Sequence, residues 1–424
     1  MNAGDTAWVM VSAALVLFMT VGLAFFYGGL EPRRNVLNMV AMNVFTIAIV
    51  TITWVTAGFS LAFGPDAGHG LIGNLHYAGL ANMSGLWPGT HIPKLAFMAF
   101  QMMFAIITPA LITGALAGRL KFKAWIVICA GWSLVVYPLI AHWVFDPAGW
   151  IYRLGGRDFA GGAVVHLSAG VAAAVLVLLL RPRSAPDAAA YQPSSVPVVV
   201  LGAGILWFGW LGFNAGSALG ANQVAANAFT VTQIAAATGF LVWAALEHTR
   251  TGKTSLTGLS TGAVAGLATI TPAAGYVGPL PAIAIGAVGA AACYFAGIAA
   301  KKIRRFDDAF GVTATHGVGG LAGLLMVGIF AQYRINPTGL TAADGSPING
   351  LISGGGSLLW HQTLAVLAVI GLTAALTYGL GIIIRATTGL RATSEQEDLG
   401  LGGMFADTGT AAPLEQAPMG KAAA

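Results

Sequence analysis

The most constraining feature of this chain is a series of long apolar runs, each about as long as a helix must be to cross a bilayer. Eleven runs of about 20 or more mainly apolar residues can be drawn along the sequence. They lie near residues 7–30, 39–64, 95–117, 124–145, 160–180, 196–214, 224–246, 255–274, 279–299, 311–331 and 358–385. The pattern predicts an all-α polytopic membrane protein with eleven transmembrane helices.

Composition narrows the function classes. Charged residues make up 8% of the chain, against roughly 25% in soluble globular proteins. The formal net charge of +5 does not indicate nucleic-acid binding, because the basic residues are spread over the connections between runs. Cys129 and Cys293 lie in apolar runs and form no metal-binding spacing. We expect no metal, no cofactor and, with no nucleophile and base together at depth, no enzyme. The first run, long enough to span a bilayer, is not expected to be a cleaved signal.

The basic residues also predict orientation. Sixteen Lys and Arg residues fall on the connections of one side, including the C-terminal tail, and four fall on the other: Lys94, Arg153, Arg157 and Arg334. Cytoplasmic connections carry the excess of Lys and Arg. This distribution predicts an external N-terminus and a cytoplasmic C-terminus, in the inner (cytoplasmic) membrane of the cell.

A duplicated motif divides the chain into two halves. Asp158 precedes His166 by eight residues, and Asp308 precedes His316 by the same spacing. The copies open the fifth and tenth runs, and because five is odd, the halves must have opposite orientations. We expect two inverted five-helix repeats, about 7–180 and 196–331, with functional residues near their interface. A final helix, about 358–385, completes a membrane domain of residues 1–390, and the cytoplasmic tail, 391–424, is expected to be largely disordered until a partner binds.

Histidines are the polar groups expected deepest in the membrane, since no run carries Asp, Glu, Lys or Arg at its middle. Pseudo-symmetry would bring His166 and His316 towards each other near the centre. One alternative is that the histidines only make structural hydrogen bonds between helices. For His142, near the end of the fourth run, the structural and the functional interpretations are equally supported. A second is haem ligation by two histidines from different helices.

Aromatic residues form a second constellation. Phe104, Phe213, Trp143 and Phe145 lie inside runs or at external ends, where most membrane aromatics only pack or anchor. Together they suit a small cation, since aromatic faces attract a desolvating cation by roughly 1 to 2 kcal/mol. A hydroxyl such as that of Ser217 would accept one of its N–H donors.

Several segments, in this order, resemble the ammonium transporter (Amt/Mep/Rh) family, on the Amt side. They are Gly-Leu-Ala-Phe-Phe-Tyr-Gly-Gly-Leu (22–30), Asp158-Phe-Ala-Gly-Gly with Val-Val-His166, Trp-Leu-Gly-Phe-Asn-Ala-Gly-Ser217, Thr271-Pro-Ala-Ala-Gly-Tyr and His316-Gly-Val-Gly-Gly. The resemblance runs from about Asp5 to Arg391. It implies a homotrimer of eleven-helix subunits with one pore each, carrying ammonium or ammonia, and a PII signalling protein as cytoplasmic partner.

The resemblance also implies roles for individual residues. The recruitment site would comprise Phe104, Phe145 and Ser217, with Asp158 as the essential acid behind it and Trp143 as a further contributor. Phe104 and Phe213 would be the stacked gate. The pore would be lined by the twin histidines and by further wall positions: His166, His316, Phe26, Tyr27, Trp210, Thr271 and Val312.

Three segments depart from the usual family pattern. Phe145 stands where the recruitment site usually has Trp, residues 311–315 are less bulky and more polar than is typical, and residues 400–405 replace an acidic tail segment. The expected function is capture of external ammonium, deprotonation near the gate and passage of ammonia. The alternative is an ammonium sensor that signals through a cytoplasmic partner and conducts little.

Overall fold

The structure, a computed structural model, describes residues 1–183, 192–342 and 344–405. In these ranges ten helices are long and apolar enough to cross a membrane, and an eleventh apolar helix is shorter. In chain order the membrane helices are α1 (Ala3–Leu30), α2 (Arg33–Phe63), α3 (Lys94–Ala115), α4 (Phe122–Leu154), α5 (Gly162–Leu180), α6 (Val196–Gly216), α7 (Gln223–Thr251), α8 (Leu256–Ile270), α9 (Pro279–Ala300), α10 (Thr313–Phe330) and α11 (Ser357–Thr387). A short helix, α12 (Ser394–Leu399), lies in the tail.

The eleven predicted runs coincide with α1 to α11, so the all-α prediction is confirmed. The eighth is shorter than expected, since α8 ends at Ile270 instead of near residue 274. Pro272 explains the difference because proline has no backbone N–H and cannot continue the hydrogen bonds of the helix. The carbonyl of Pro272 accepts a hydrogen bond from the amide of Phe159 at 3.1 Å. The break therefore ties the end of α8 to the segment that leads into α5.

Equivalent helices of the two halves pack against each other at the centre. The first helices of the halves, α1 and α6, form the most extensive contact in the molecule, and α5 packs against the beginning of α10. Glycine permits the close approach of α1 and α6: a Cβ built on Gly202 would lie 2.3 Å from the amide nitrogen of Phe26. Helix α11 lies outside the two halves, against α4, α5 and α10. This pairing of counterparts is the arrangement expected of inverted repeats.

The described part of the tail is docked, which corrects the expectation of disorder for residues 391–405. The amide of Ala392 donates to the carbonyl of Arg119 at 2.9 Å, and the amide of Leu401 donates to the side-chain oxygen of Asn35 at 2.9 Å. Arg391 pairs with Glu397 within the tail. The tail therefore lies against the start of α2 and the connection between α3 and α4. The predicted disorder of residues 406–424 falls outside the described residues.

Docking of the tail is expected to weaken as pH rises through about 7. Glu31 is 1% exposed, and its carboxylate accepts a hydrogen bond from Asn35, the residue that binds Leu401. Burial raises the pKa of Glu31 to about 7, against the smaller lowering effects of Asn35, Arg183, Arg34 and the amide of Gly118. Because folding raises the pKa of Glu31, the stabilisation from this group is complete at pH values below its usual pKa and is lost as the pH rises above about 7.

The measurement is hydrogen exchange of the amides of residues 394–405 at pH 6 and pH 8, corrected for intrinsic exchange. Protection should fall at pH 8 in the wild type and become independent of pH in Glu31→Gln. The matched control is Glu395→Gln, since Glu395 is an exposed carboxylate of the same tail. Equal protection of the wild-type tail at both pH values would contradict the prediction.

Candidate functional site

Asp158 organises the beginning of α5. The side chain is 7% exposed, and its two oxygens accept four backbone N–H bonds, from Gly161 at 2.8 Å, Gly162 at 2.7 Å, Ala163 at 2.7 Å and Val164 at 3.3 Å. The first N–H groups of a helix have no partner within the helix. One carboxylate therefore satisfies a whole helix N-terminus. Burial raises the pKa of Asp158, and the N–H donors oppose that shift.

The second copy repeats this arrangement in part. Asp308 accepts hydrogen bonds from the amides of Val312 at 3.0 Å and Thr313 at 2.7 Å, at the beginning of α10. Asp308 therefore has the same structural role as Asp158, which is to accept hydrogen bonds from the beginning of a helix. The acid persists because α10, like α5, begins with N–H groups that need an acceptor. Burial raises the pKa of Asp308 as well, and these two amides oppose the shift.

Both histidines lie on a local π-helical turn directly after these capped beginnings. The turns are Gly162–Leu167 and Thr313–Val318, and such turns are frequent at functional sites. His166 is 1% exposed and His316 is 3% exposed. Their Nδ1 atoms are 3.3 Å apart and their rings are 5.3 Å apart at 25°. At that distance one Nδ1 can donate to the other, so a single hydrogen bond joins the two rings.

The same geometry decides between the alternatives for the histidines. A haem macrocycle has no room between two Nδ1 atoms at hydrogen-bond distance. His142 takes the structural role: it is fully buried, its Nδ1 lies 2.9 Å from the carbonyl oxygen of Ala62, and its Nε2 lies 3.4 Å from a carboxylate oxygen of Asp66. The Nε2 atoms of both His142 and His166 are buried with no hydrogen-bond partner among the described residues, but that of His142 lies within ion-pair distance of Asp66. His166 therefore has an unused polar atom at the centre of the molecule.

Two glycines hold the histidines at this distance. Gly170 and Gly320 each lie four residues after the histidine of their own repeat. Each packs against the backbone beside the histidine of the other repeat. A Cβ on Gly170 would lie 2.2 Å from the Cα and N of Gly317, and a Cβ on Gly320 would lie 3.0 Å from the Cβ of His166. No side chain fits at either crossing. The shared glycine spacing in the two sequence motifs is thus a packing requirement of the histidine pair.

A narrow cavity of about 10 Å³ lies beside the pair, which is about the room that one water-sized molecule needs. It is lined by Met19, Leu23, Phe26, Tyr27, Ile107, Leu111, Val165, His166, Leu206, Trp210, Phe213, Val264 and His316. Phe26, Tyr27 and Trp210, which the family resemblance implied as pore-wall positions, are among these lining residues. Thr271 lies behind this wall, where its Oγ1 accepts a hydrogen bond from the indole N–H of Trp210 at 2.8 Å. Val312 is not among the lining residues and lies at the capped beginning of α10.

A stacked aromatic pair closes the cavity at one end. The rings of Phe104 and Phe213 are 4.2 Å apart with an angle of 26°, and both are at most 1% exposed. Phe213 lines the narrow cavity and Phe104 lines a wide depression beyond it. The pair is therefore the wall between the two spaces.

The wide depression, here called the outer vestibule, has a volume of about 520 Å³. Phe104, Phe145, Asp158 and Ser217 all line it. The hydroxyl of Ser217 donates to the carbonyl of Phe213 at 2.9 Å, which leaves its oxygen lone pairs to accept. Trp143 lies apart from these residues, because its indole N–H donates to the carbonyl of Leu71 at 2.9 Å and its ring packs on Trp150.

Another depression, the inner vestibule, has a volume of about 710 Å³ and is lined by Asp308, Phe310 and Gly311 among others. Phe310 packs on Tyr27 at 5.6 Å, so it links this vestibule to the narrow cavity. Sequence reasoning missed Phe310 and the aliphatic lining residues such as Leu206 and Val264. No signal marks the aliphatic ones, since a pore-facing Leu is indistinguishable in sequence from a core or lipid-facing one.

Two wide depressions lie beyond a water-sized uncharged cavity, and a stacked aromatic pair separates one of them from it. This arrangement indicates a membrane transport protein for a small solute. The profile of the Ammonium Transporter Family matches residues 7–406. The chain belongs to this family. An "Ammonium transporter" of Aquifex aeolicus (strain VF5) is 44% identical over 399 residues, which is 94% of this chain and 91% of that protein.

Solved structures give the same result for the fold. The crystal structure of Saccharomyces cerevisiae Mep2 is similar with a TM-score of 0.85 and 34% identity, over 93% of this chain and 91% of that one. A structure described as "Sensor Amt Protein" is similar with a TM-score of 0.85 and 30% identity, over 95% of this chain and 98% of that one.

Proposed function

We propose that this protein transports ammonium by capturing the ion in the outer vestibule, removing a proton at the phenylalanine pair, and passing neutral ammonia along the narrow cavity. The observation that carries the proposal is the buried pair of His166 and His316, which lies beside an uncharged cavity between the two vestibules. This combination of polar atoms without charge suits a small hydrogen-bonding molecule that enters without a charge of its own.

Capture is assigned to the residues that converge in the outer vestibule. Phe104 and Phe145 present aromatic faces, which attract a cation by roughly 0.5 to 2 kcal/mol depending on its desolvation. Ser217 offers a hydroxyl oxygen to one N–H of the ion. Asp158 lines the same vestibule but has both oxygens occupied by helix amides, so its role is to hold the beginning of α5. Trp143 makes no contribution to capture in this geometry.

Deprotonation follows from the cost of burial. An isolated ion moved into a dry passage would face a penalty of tens of kcal/mol, whereas a neutral polar molecule costs only a few kcal/mol and recovers part of that by hydrogen bonding. Ammonium can lose its charge and potassium cannot, so selectivity comes from chemistry instead of ion size. The imidazoles of His166 and His316 are the groups suited to accept hydrogen bonds from ammonia or to relay the proton.

The family suggests the setting of this transport. We propose that the outer vestibule is external, that the protein forms a homotrimer in the cytoplasmic membrane, and that a PII signalling protein binds the cytoplasmic face. The excess of Lys and Arg on the tail side supports this orientation. The docked tail lies on that face, where such a partner would meet residues 391–405.

The test is flux into proteoliposomes driven by gradients of ammonium, methylammonium or potassium. The wild type should carry ammonium and methylammonium and exclude potassium, and His166→Ala or His316→Ala should change flux or selectivity because each removes half of the shared hydrogen bond. His248→Ala, an exposed position at the end of α7, should behave as wild type. No ammonium-dependent signal from well-folded protein would rule out transport, and equal potassium flux would rule out the deprotonation step.

Sensing is a second candidate, favoured by the similarity to the structure described as a sensor Amt protein and by the docked tail. In this case ammonium binds in the outer vestibule and alters the tail, with little conduction. Hydrogen exchange of residues 394–405 with and without ammonium separates the candidates. A sensor changes tail protection at ammonium concentrations that give no flux, whereas a transporter conducts at those concentrations.

A further inference from the structure

A separate cavity of about 650 Å³ lies beside the outer vestibule, between the end of α4 and the beginning of α11. Its lining includes three side chains that are or can become cations, Arg153, Arg157 and His361, and neutral donors such as Ser357 and Asn349. No Asp or Glu is among its lining residues in the described part of the chain. This space is here called the basic cavity, and it forms no part of the transport route described above.

Arg157 gives the basic cavity a buried positive charge. The residue is 3% exposed, and its guanidinium donates to the carbonyls of Gly339, Tyr152, Gly156 and Thr341 at 2.8 to 2.9 Å. Within the described residues these guanidinium bonds are all to carbonyl oxygens, which accept from the donors but carry no formal charge. Buried Arg residues are normally paired with an acid. Arg157 is therefore a fixed cation that lacks an ionic partner among the described residues.

The beginning of α11 adds a second source of positive potential. Helix α11 is 31 residues long, and no side chain of the described residues caps its N-terminus, where Gly356 is the N-cap residue. The first N–H groups of a helix attract anions. Ser357 and His361 are four residues apart on one face of α11, and both line the basic cavity. The uncapped end and the two arginines thus converge on the same space.

Asp158 and Asp344 neighbour lining residues in sequence but do not themselves line the cavity. Asp158 follows Arg157 but accepts four helix amides. Asp344 is exposed, and its carboxylate accepts hydrogen bonds from the amide and the hydroxyl of Ser346 at 3.0 and 2.6 Å. We propose that the basic cavity binds an oxyanion of the phosphate or sulfate type, held by Arg153, by His361 and Ser357 as donors, and by the field of Arg157.

The anion site is coupled to ammonium capture through a shared wall. Pro147, Tyr152 and Arg157 line both the basic cavity and the outer vestibule. An anion beside Arg157 offsets a positive charge that would otherwise repel an incoming ammonium ion, and binding linkage makes the effect reciprocal. Phosphate is thus expected to lower the KM for ammonium severalfold, a consequence that rests on the proposed transport function, whereas anion binding itself does not.

The direct test is isothermal titration calorimetry of the purified full-length protein with inorganic phosphate at constant ionic strength. Saturable binding is expected for the wild type, and Arg153→Gln should weaken it by about tenfold or more, because the substitution removes a hydrogen bond between two charged groups. His361→Gln is the second variant. The control is Arg334→Gln. Arg334 is an exposed arginine in the connection between α10 and α11, and its side chain donates to Gln332.

Each result decides the proposal. Absence of saturable heat in the wild type, or equal weakening in Arg334→Gln, overturns it. Loss of phosphate binding in phosphatidylglycerol nanodiscs but not in phosphatidylcholine nanodiscs assigns the same site to a lipid headgroup, and equal binding in both assigns it to the free anion. Because calorimetry needs no flux, anion binding in a protein that does not transport would uphold this site while the proposed function fails.

Discussion

Asp158→Ala is expected to remove most of the folded protein from the membrane fraction. The substitution leaves four helix N–H groups without an acceptor, and each unsatisfied buried donor costs about 1 to 3 kcal/mol. The sum is comparable with the whole stability of a typical domain, about 5 to 15 kcal/mol. Yield of monodisperse protein, thermal unfolding in detergent and ammonium flux measure the effect.

The inverted repeat supplies a matched comparison. Asp308→Ala leaves only two amides without an acceptor. Its loss of stability should therefore be smaller than that of Asp158→Ala by about the cost of two unsatisfied donors. Asp158→Asn keeps one acceptor oxygen and should fall between wild type and alanine. Wild-type yield and unfolding temperature for Asp158→Ala would contradict this account of the acid.

Gly170→Ala is expected to abolish ammonium flux in protein that still reaches the membrane. The added Cβ would meet the Cα and N of Gly317 at 2.2 Å, a separation that forces the backbones of α5 and α10 apart. The histidines are carried by the same two helices, so their hydrogen bond of 3.3 Å breaks. Overpacking of this kind typically costs 1 to 3 kcal/mol, which is less than the loss expected for Asp158→Ala. The variant should therefore still fold and reach the membrane, and its ammonium flux should fall more than its yield.

Controls for the crossing come from glycines with open space. Gly204→Ala in α6 and Gly371→Ala in α11 place a Cβ where no atom lies within 4 Å, and both should transport as wild type. Gly320→Ala should resemble Gly170→Ala, because its Cβ would meet the carbonyl oxygen of Gly162 at 2.6 Å. Normal flux in both crossing variants would show that histidine spacing does not control transport.

The sequence predicts the framework because bilayer crossing is a local property. Apolar length, the charge asymmetry of the connections and the repeated spacing from Asp158 to His166 each depend on neighbouring residues alone, and the helices follow them closely. The end of α8 was predicted too far along the chain because the apolar composition continues past Pro272, whereas the helix ends at Ile270. The docked tail was missed because its contacts, such as Leu401 to Asn35, join residues more than 300 positions apart.

The site was predictable to the extent that its residues are chemically unusual. Histidines and a stacked aromatic pair stand out in an apolar background, whereas the aliphatic pore wall does not. Trp143 illustrates the limit: it lies two positions from Phe145, yet it packs on Trp150 while Phe145 lines the outer vestibule. The direction of a side chain at the end of a helix depends on which loop covers that end. The loop that binds Trp143 lies about 70 residues earlier in the sequence.

The two capped histidine helices belong to halves of opposite orientation. Two separate copies of a five-helix chain could pair in this way only by inserting into the membrane in both orientations, and such a homodimer would have two identical mouths. In a single chain each half has one orientation, so the two mouths can differ. The four amides held by Asp158 and the two held by Asp308 are one such difference.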